Sequence, residues 1–133
     1  YTPGALLLSN DGDFVYQITH PKHEISKTYQ VTVKGMINAQ EIEKLQKGVN
    51  IGEYITKPAD VKIMKIDEEK EISRIQIAIH EGKNRQVRKM CEAVGKKVLA
   101  LHRSKIGNIG VKDLKLGQWR YLTSEEVKSL LVK

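Results

Sequence analysis

Glu81-Gly82-Lys83-Asn84-Arg85-Gln86-Val87-Arg88-Lys89-Met90 joins a strand-like segment to a helix-like one, and the rest of the chain organises around that junction. From Asn84 to Val94 the apolar residues Val87, Met90, Cys91 and Val94 recur at i, i+3, i+4 and i+7, the spacing of a helix with one packed face. Gly95 ends it. At about 100° per residue, Arg85, Arg88 and Lys89 fall away from that face. Two readings of this basic side are open. One is a solvated face with Arg88 paired to Glu92 at i+4. The other is a surface that meets an anion.

Upstream of the junction, Asp60–Ile66 and Glu71–His80 alternate apolar and polar residues, and Asp67-Glu68-Glu69-Lys70 links them as a hairpin. Lys27–Lys34 alternates Tyr29, Val31 and Val33 with polar residues, as a half-buried strand does. Asn38 with Glu41 three residues on starts a short helix through Ile42 and Leu45, stopped at Gly48. Thr123 with Glu126 starts another through Leu131. Ala5–Ser9, Lys97–His102 and Trp119–Leu122 are further candidate strands, Asn10-Asp11-Gly12 a turn, and Phe14–Ile18 a short helix before the loop around Pro21. There is no βαβ rhythm, repeat or linker. The pattern predicts one α+β domain spanning 1–133, a mainly antiparallel mixed sheet flanked by short helices.

The charge is unevenly spread. The 133 residues carry 23 Lys and Arg against 16 Asp and Glu, a formal net charge of +7. Lys83, Arg85, Arg88, Lys89, Lys96, Lys97, Arg103 and Lys105 oppose only Glu92 between Gly82 and Lys105, so the whole excess resides there. A basic stripe on a neutral body is the footprint of a nucleic-acid binder. An interfacial membrane helix would need Trp, Phe or Leu on the apolar face, which this one lacks. The longest apolar run, Ala5-Leu6-Leu7-Leu8, is far too short to span a bilayer. Hydrophobic residues make up 40% of the chain, enough for a core. The single Cys91 is read as a core residue and is compatible with a reducing, cytoplasmic setting.

Other polar groups carry little. His20 and His23 lack a third ligand nearby and do not make a metal site. Asn10-Asp11-Gly12-Asp13 lacks the distal Glu of a calcium loop. Gly107 and Gly110 do not form a nucleotide-binding loop. Neither a metal nor a cofactor is expected.

Taken together, Thr2-Pro3-Gly4-Ala5-Leu6-Leu7-Leu8-Ser9-Asn10-Asp11-Gly12, Lys27-Thr28-Tyr29, the Glu81–Met90 stretch and Val98-Leu99-Ala100-Leu101-His102-Arg103 ahead of Ile106-Gly107 resemble, in order and spacing, the bacterial ribosomal pseudouridine synthases of the RsuA/RluB type. The resemblance covers essentially the whole chain. It implies isomerisation of uridine to pseudouridine in ribosomal RNA, the large-subunit RNA being favoured by the Arg-Gln-Val-Arg-Lys-Met version of the motif. It implies no cofactor and a monomer.

By that resemblance Tyr29 is the active-site tyrosine, Arg88 the partner of the catalytic Asp, and Leu101 an apolar wall. Lys27, Lys83, Arg85, Lys89, Lys96, Lys97 and Arg103 are expected at RNA phosphates. The family's catalytic Asp falls two positions ahead of Tyr1, and a small RNA-binding domain often precedes it. The 133 residues are thus expected to be an N-terminally truncated catalytic domain without activity of its own. Asp11 and Asp13 match no catalytic position. The rival reading is a non-catalytic RNA-binding module, which accounts for the charge but not for Tyr29 and Arg88 at motif positions.

Overall fold

A computed structural model describes residues 5–7, 25–80, 85–107, 109–110 and 120–131. Strands β1 (Lys27–Lys34), β2 (Asp60–Asp67), β3 (Ile72–Ile79), β4 (Val98–Ile106) and β5 (Ile109–Gly110) form one sheet in the order β2-β3-β1-β4-β5. Every described pairing is antiparallel. Helices α1 (Ala39–Lys47), α2 (Gln86–Ala93) and α3 (Ser124–Leu131) complete the α+β fold expected from the sequence.

The period-2 alternation of β1 decides which face is packed. Val31 and Val33 point to the core, opposite Ile75 and Ser73 of β3 and Leu101 and Val98 of β4. Ile42 and Leu45 of α1 and Val87, Met90 and Cys91 of α2 close over the same face. Ser73 is the one buried polar residue of β3, and both its bonding roles are used: Oγ accepts from the Ile37 N–H at 2.9 Å and donates to the Gly35 carbonyl at 2.8 Å. That pins the turn from β1 into α1. The capping box of α1 is complete, with Asn38 Oδ1 accepting from Glu41 N–H and Glu41 Oε1 from Asn38 N–H.

Three register shifts set the sheet's irregularities. Leu99 and Ser104 in β4 and Met64 in β2 are each the extra residue between two paired positions. The first shift turns Leu99 outward, 49% exposed, while Val98 stays on the core side. The second lets β4 run four residues past His102, the end expected from the sequence, and returns Ile106 to the interior.

Several expectations are revised. Helix α2 starts at Gln86 rather than Asn84, because Arg85 takes a left-handed conformation (φ 56°) and cannot be its first turn. Residues 120–122 are not a strand; Arg120 reaches forward instead to Glu126, in the capping box of α3. Ala5–Leu7 is no independent strand, although Ala5 joins β4 at Arg103. The turn at Asn10–Gly12, the helix at Phe14–Ile18 and the loop at Pro21 lie outside the described residues. Unforeseen from sequence was a small hairpin between α1 and β2. Thr56 and Val49 exchange backbone and hydroxyl hydrogen bonds at its base, both at 2.9 Å.

Gly48 makes the entry to that hairpin possible. Its φ is 119°, and a Cβ there would lie 2.3 Å from the Thr56 carbonyl oxygen. Gly48→Ala therefore adds both backbone strain and a clash with main chain. Urea unfolding is expected to show a loss of at least about 1–3 kcal/mol; a variant as stable as the parent would contradict this close approach.

Candidate active site and nucleic-acid interface

The site is built outward from Tyr29. Its core-side parity places it on the same face as Val31, one row nearer the start of β1, partly buried and packed against the core. Across the sheet that row reads Ile77, Tyr29, Arg103. Lys27 stands two residues earlier on the same face, between Ile79 and Ile106. A half-buried phenol thus lies at the border between the apolar core and two cations.

Those cations are unlike each other. The Lys27 ammonium is held below its ordinary pKa, first by burial and then by the Arg103 charge. Among the described residues it has neither a hydrogen-bond partner nor an acidic one. Arg103 is already engaged: its Nε and Nη2 both donate to the Ala5 carbonyl, Nε at 2.7 Å, and the Ala5 N–H donates back to the Arg103 carbonyl at 2.8 Å. Ala5 is a neutral acceptor, so the two positive charges near Tyr29 remain uncompensated within the described residues. Such a place stabilises an anion.

Helix α2 supplies the second basic surface. Gln86, expected simply as part of the motif, proves to be buried. Its Oε1 accepts from Tyr54 Oη at 2.9 Å, and its Nε2 donates to Met90 Sδ at 3.7 Å. Tyr54 and Glu53 lie at the tip of the hairpin after α1. Glu53 takes Lys89 Nζ at 2.6 Å. The hairpin therefore grips α2 at two successive points. Neither Tyr54 nor Glu53 carries a motif in sequence; only the fold brings them to the helix. Arg88 lies at the border of the buried face, and among the described residues it has no ion pair, with Glu92 or otherwise. Arg85, at the exposed helix entry, is likewise without a side-chain partner among them.

The expected phosphate contacts thus fall into distinct groups. Lys27, Arg85 and exposed Lys97 have no side-chain partner among the described residues. Lys89 and Arg103 are engaged as above. Lys96 departs furthest from the sequence expectation: its Nζ meets Glu41 Oε2 at 2.9 Å, with the side chains only 17% and 16% exposed. Its stem runs beneath Gly35, tying the end of α2 to the cap of α1. Lys83 lies outside the described residues, as do Asp11, Asp13, His20 and His23. Leu101 is buried against Val31, as a wall of the core. Cys91 is fully buried, and burial first and the Glu92 charge second push its thiol up to about 12. No described helix is long and apolar enough to cross a membrane.

Lys96 yields a prediction opposite to that for a phosphate contact. Burial raises the Glu41 pKa, but the hydrogen bonds from Lys96 and the Asn38 N–H outweigh it, and the carboxyl lies below its ordinary value. A depressed carboxylate stabilises the fold above its unfolded pKa and loses that contribution as pH falls through its folded one. Lys96→Gln should therefore cost roughly 1 kcal/mol near neutral pH, with a smaller cost once Glu41 is protonated. RNA affinity should hardly change. Urea titrations at several pH values and filter binding would check both.

Known proteins resemble this chain in sequence and in fold. A family model described as RNA pseudouridylate synthase matches residues 1–93. The chain is 45% identical over 129 residues to the ribosomal large subunit pseudouridine synthase B of Bacillus subtilis (strain 168), covering 97% of this chain and 53% of that protein. It is 40% identical over 132 residues to the ribosomal small subunit pseudouridine synthase A of Vibrio vulnificus (strain CMCP6), covering 97% and 55%. A crystal structure of a pseudouridylate synthase superposes with a TM-score of 0.86 at 34% identity, over 97% of this chain and 55% of the other. The chain spans a little over half the length of these relatives. With its motifs at these positions, its sheet superposing on a solved member and a family model matching most of its length, the chain belongs to the RNA pseudouridylate synthase family.

Proposed function

We propose that the full-length protein containing this chain isomerises a specific uridine to pseudouridine in ribosomal RNA. The observation that carries the reading is the placement of Tyr29 at the edge of the core, beside two cations that the described residues leave without an acid. A ring that can stack on a base, next to the Lys27 ammonium that can hold phosphate, suits an extracted nucleotide. In the reaction the N1–C1′ bond breaks, the uracil turns, and C5 bonds to C1′. N1 then takes up a proton and C5 releases one. No net redox change occurs.

The chemistry needs a carboxylate at the sugar carbon, which in this family lies ahead of the residue matched by Tyr1. Arg88 would keep that carboxylate ionised and aimed. The Tyr29 hydroxyl would serve proton transfer at C5, and Leu101 would bound the pocket. Lys27, Arg85 and Lys97 would contact phosphates. Large-subunit RNA is the favoured substrate, supported by the 45% identity to a large-subunit enzyme against 40% to a small-subunit one. The enzyme acts as a monomer in the cytoplasm.

Residues 1–133 alone should bind RNA but leave uridine unchanged, since they hold no carboxylate at the motif position. Release of tritium from C5-labelled uridine in rRNA, assayed with this polypeptide and with one extended upstream through the Asp, would test this. Turnover by residues 1–133 would refute the assignment.

In the full-length protein, Arg88→Ala should lose about 3–5 kcal/mol of transition-state stabilisation, about a hundredfold or more in single-turnover rate. RNA affinity should fall only modestly, and Arg88→Lys should retain part of the rate. A wild-type rate at saturating enzyme would reduce Arg88 to a phosphate contact.

A further inference from the structure

We infer that Arg103 is a positioning residue: it clips the segment at Ala5 to the sheet in the row of Tyr29, and the reaction rate depends on that clip. The inference rests on the functional reading above. Its geometric part does not.

Three observations converge on it. The guanidinium spends two donors, Nε and Nη2, on a single carbonyl oxygen, that of Ala5. The backbone answers in the other direction, the Ala5 N–H donating to the Arg103 carbonyl at 2.8 Å. Residue 5 is therefore held from both sides by residue 103. Ala5 is buried while its neighbour Leu6 is largely exposed, so the contact is local to one residue rather than spread along a strand. And Arg103 is the β4 partner of Tyr29. The Ser104 bulge lies directly beyond it, and Ser104 Oγ donates to the Thr28 carbonyl at 3.3 Å. Arg103 therefore stands at the last regular position of β4 before the register changes.

An arginine whose task was to hold phosphate would present its fork outward. This one turns it onto main chain, and a lysine could not reproduce two directed bonds from one planar group. On the functional reading, the catalytic carboxylate belongs to the chain just ahead of Ala5. Fixing residue 5 against the Tyr29 row limits where that carboxylate can be relative to the phenol. Small displacements of a reacting group are costly, about a hundredfold for roughly 1 Å.

The test uses the full-length protein with Arg103→Gln and Arg103→Lys, the latter keeping charge and one directed donor. Hydrogen exchange is read in the peptide containing Ala5. Single-turnover conversion and filter binding are read on an rRNA fragment across a salt series. We expect exchange at Ala5 to speed up roughly tenfold or more in Arg103→Gln as the local opening becomes easier. The saturated rate should fall about tenfold or more, with affinity and salt slope unchanged. Arg103→Lys should be intermediate in both. The opposite pattern overturns the inference: a wild-type saturated rate with a salt slope smaller by about one marks Arg103 as a phosphate contact. Unchanged exchange at Ala5 also overturns it. If the wild-type protein converts no uridine yet exchange responds as expected, the clip stands and the functional reading is what fails. Should Arg103→Gln fold poorly by circular dichroism, Arg103→Lys alone separates the two patterns.

Discussion

The structure depends on β1 being paired along both edges. A strand with two neighbours cannot slip by one residue without turning every side chain to the other face. Val31 and Val33 fix that parity from the core, and Lys27 and Tyr29 inherit it. The candidate site residues on β1 are therefore aimed by hydrophobic packing in neighbouring rows of the sheet. The same constraint passes to β4, where Leu101 is held opposite Val31 and Arg103 opposite Tyr29.

The basic stripe is one feature in sequence and three in structure. Some of its charges are spent on architecture, with Lys96 on Glu41 and Lys89 on Glu53. Arg103 is spent on main chain. Arg85, Arg88 and Lys97 keep no side-chain partner among the described residues. Net charge is a sound guide to the class of partner, because the long-range field sums every cation. It is a poor guide to which cation touches the ligand, because short-range pairing depends on residues far away in sequence. Glu41 and Glu53 precede their lysines by 55 and 36 positions.

Legibility followed the same division. β1 was visible to the residue, since alternation along a central strand is enforced on both sides. Both capping boxes were visible, being contacts between residues three apart. Tyr29 and Arg88 carry no local signal of their own as site residues and were singled out only by the resemblance of the motifs in order and spacing. The far half of β4 was hidden, because a bulge at Ser104 breaks the alternation on which any strand reading relies. The start of α2 was misplaced because a left-handed Arg85 has no signature of its own, unlike glycine. The hairpin gripping α2 was hidden for another reason. Tyr54 and Glu53 matter only through partners on another element, and a local pattern cannot encode that.

Cys91 has a practical bearing on how such a molecule can be studied. It is the only cysteine in the 133 residues, lies within the packed face of α2 and holds its proton up to about pH 12. The thiolate is the nucleophile that attacks thiol reagents, so at neutral pH the native side chain is silent towards maleimides and nitroxide reagents as long as the fold persists. A cysteine introduced at an exposed position such as Leu6 or Lys97 can then carry a fluorophore or spin label without removal of the native residue, leaving the core that aims the site undisturbed. The same thiol becomes reactive on unfolding, so one molecule holds both a place for a distance probe and an internal reporter of its own integrity.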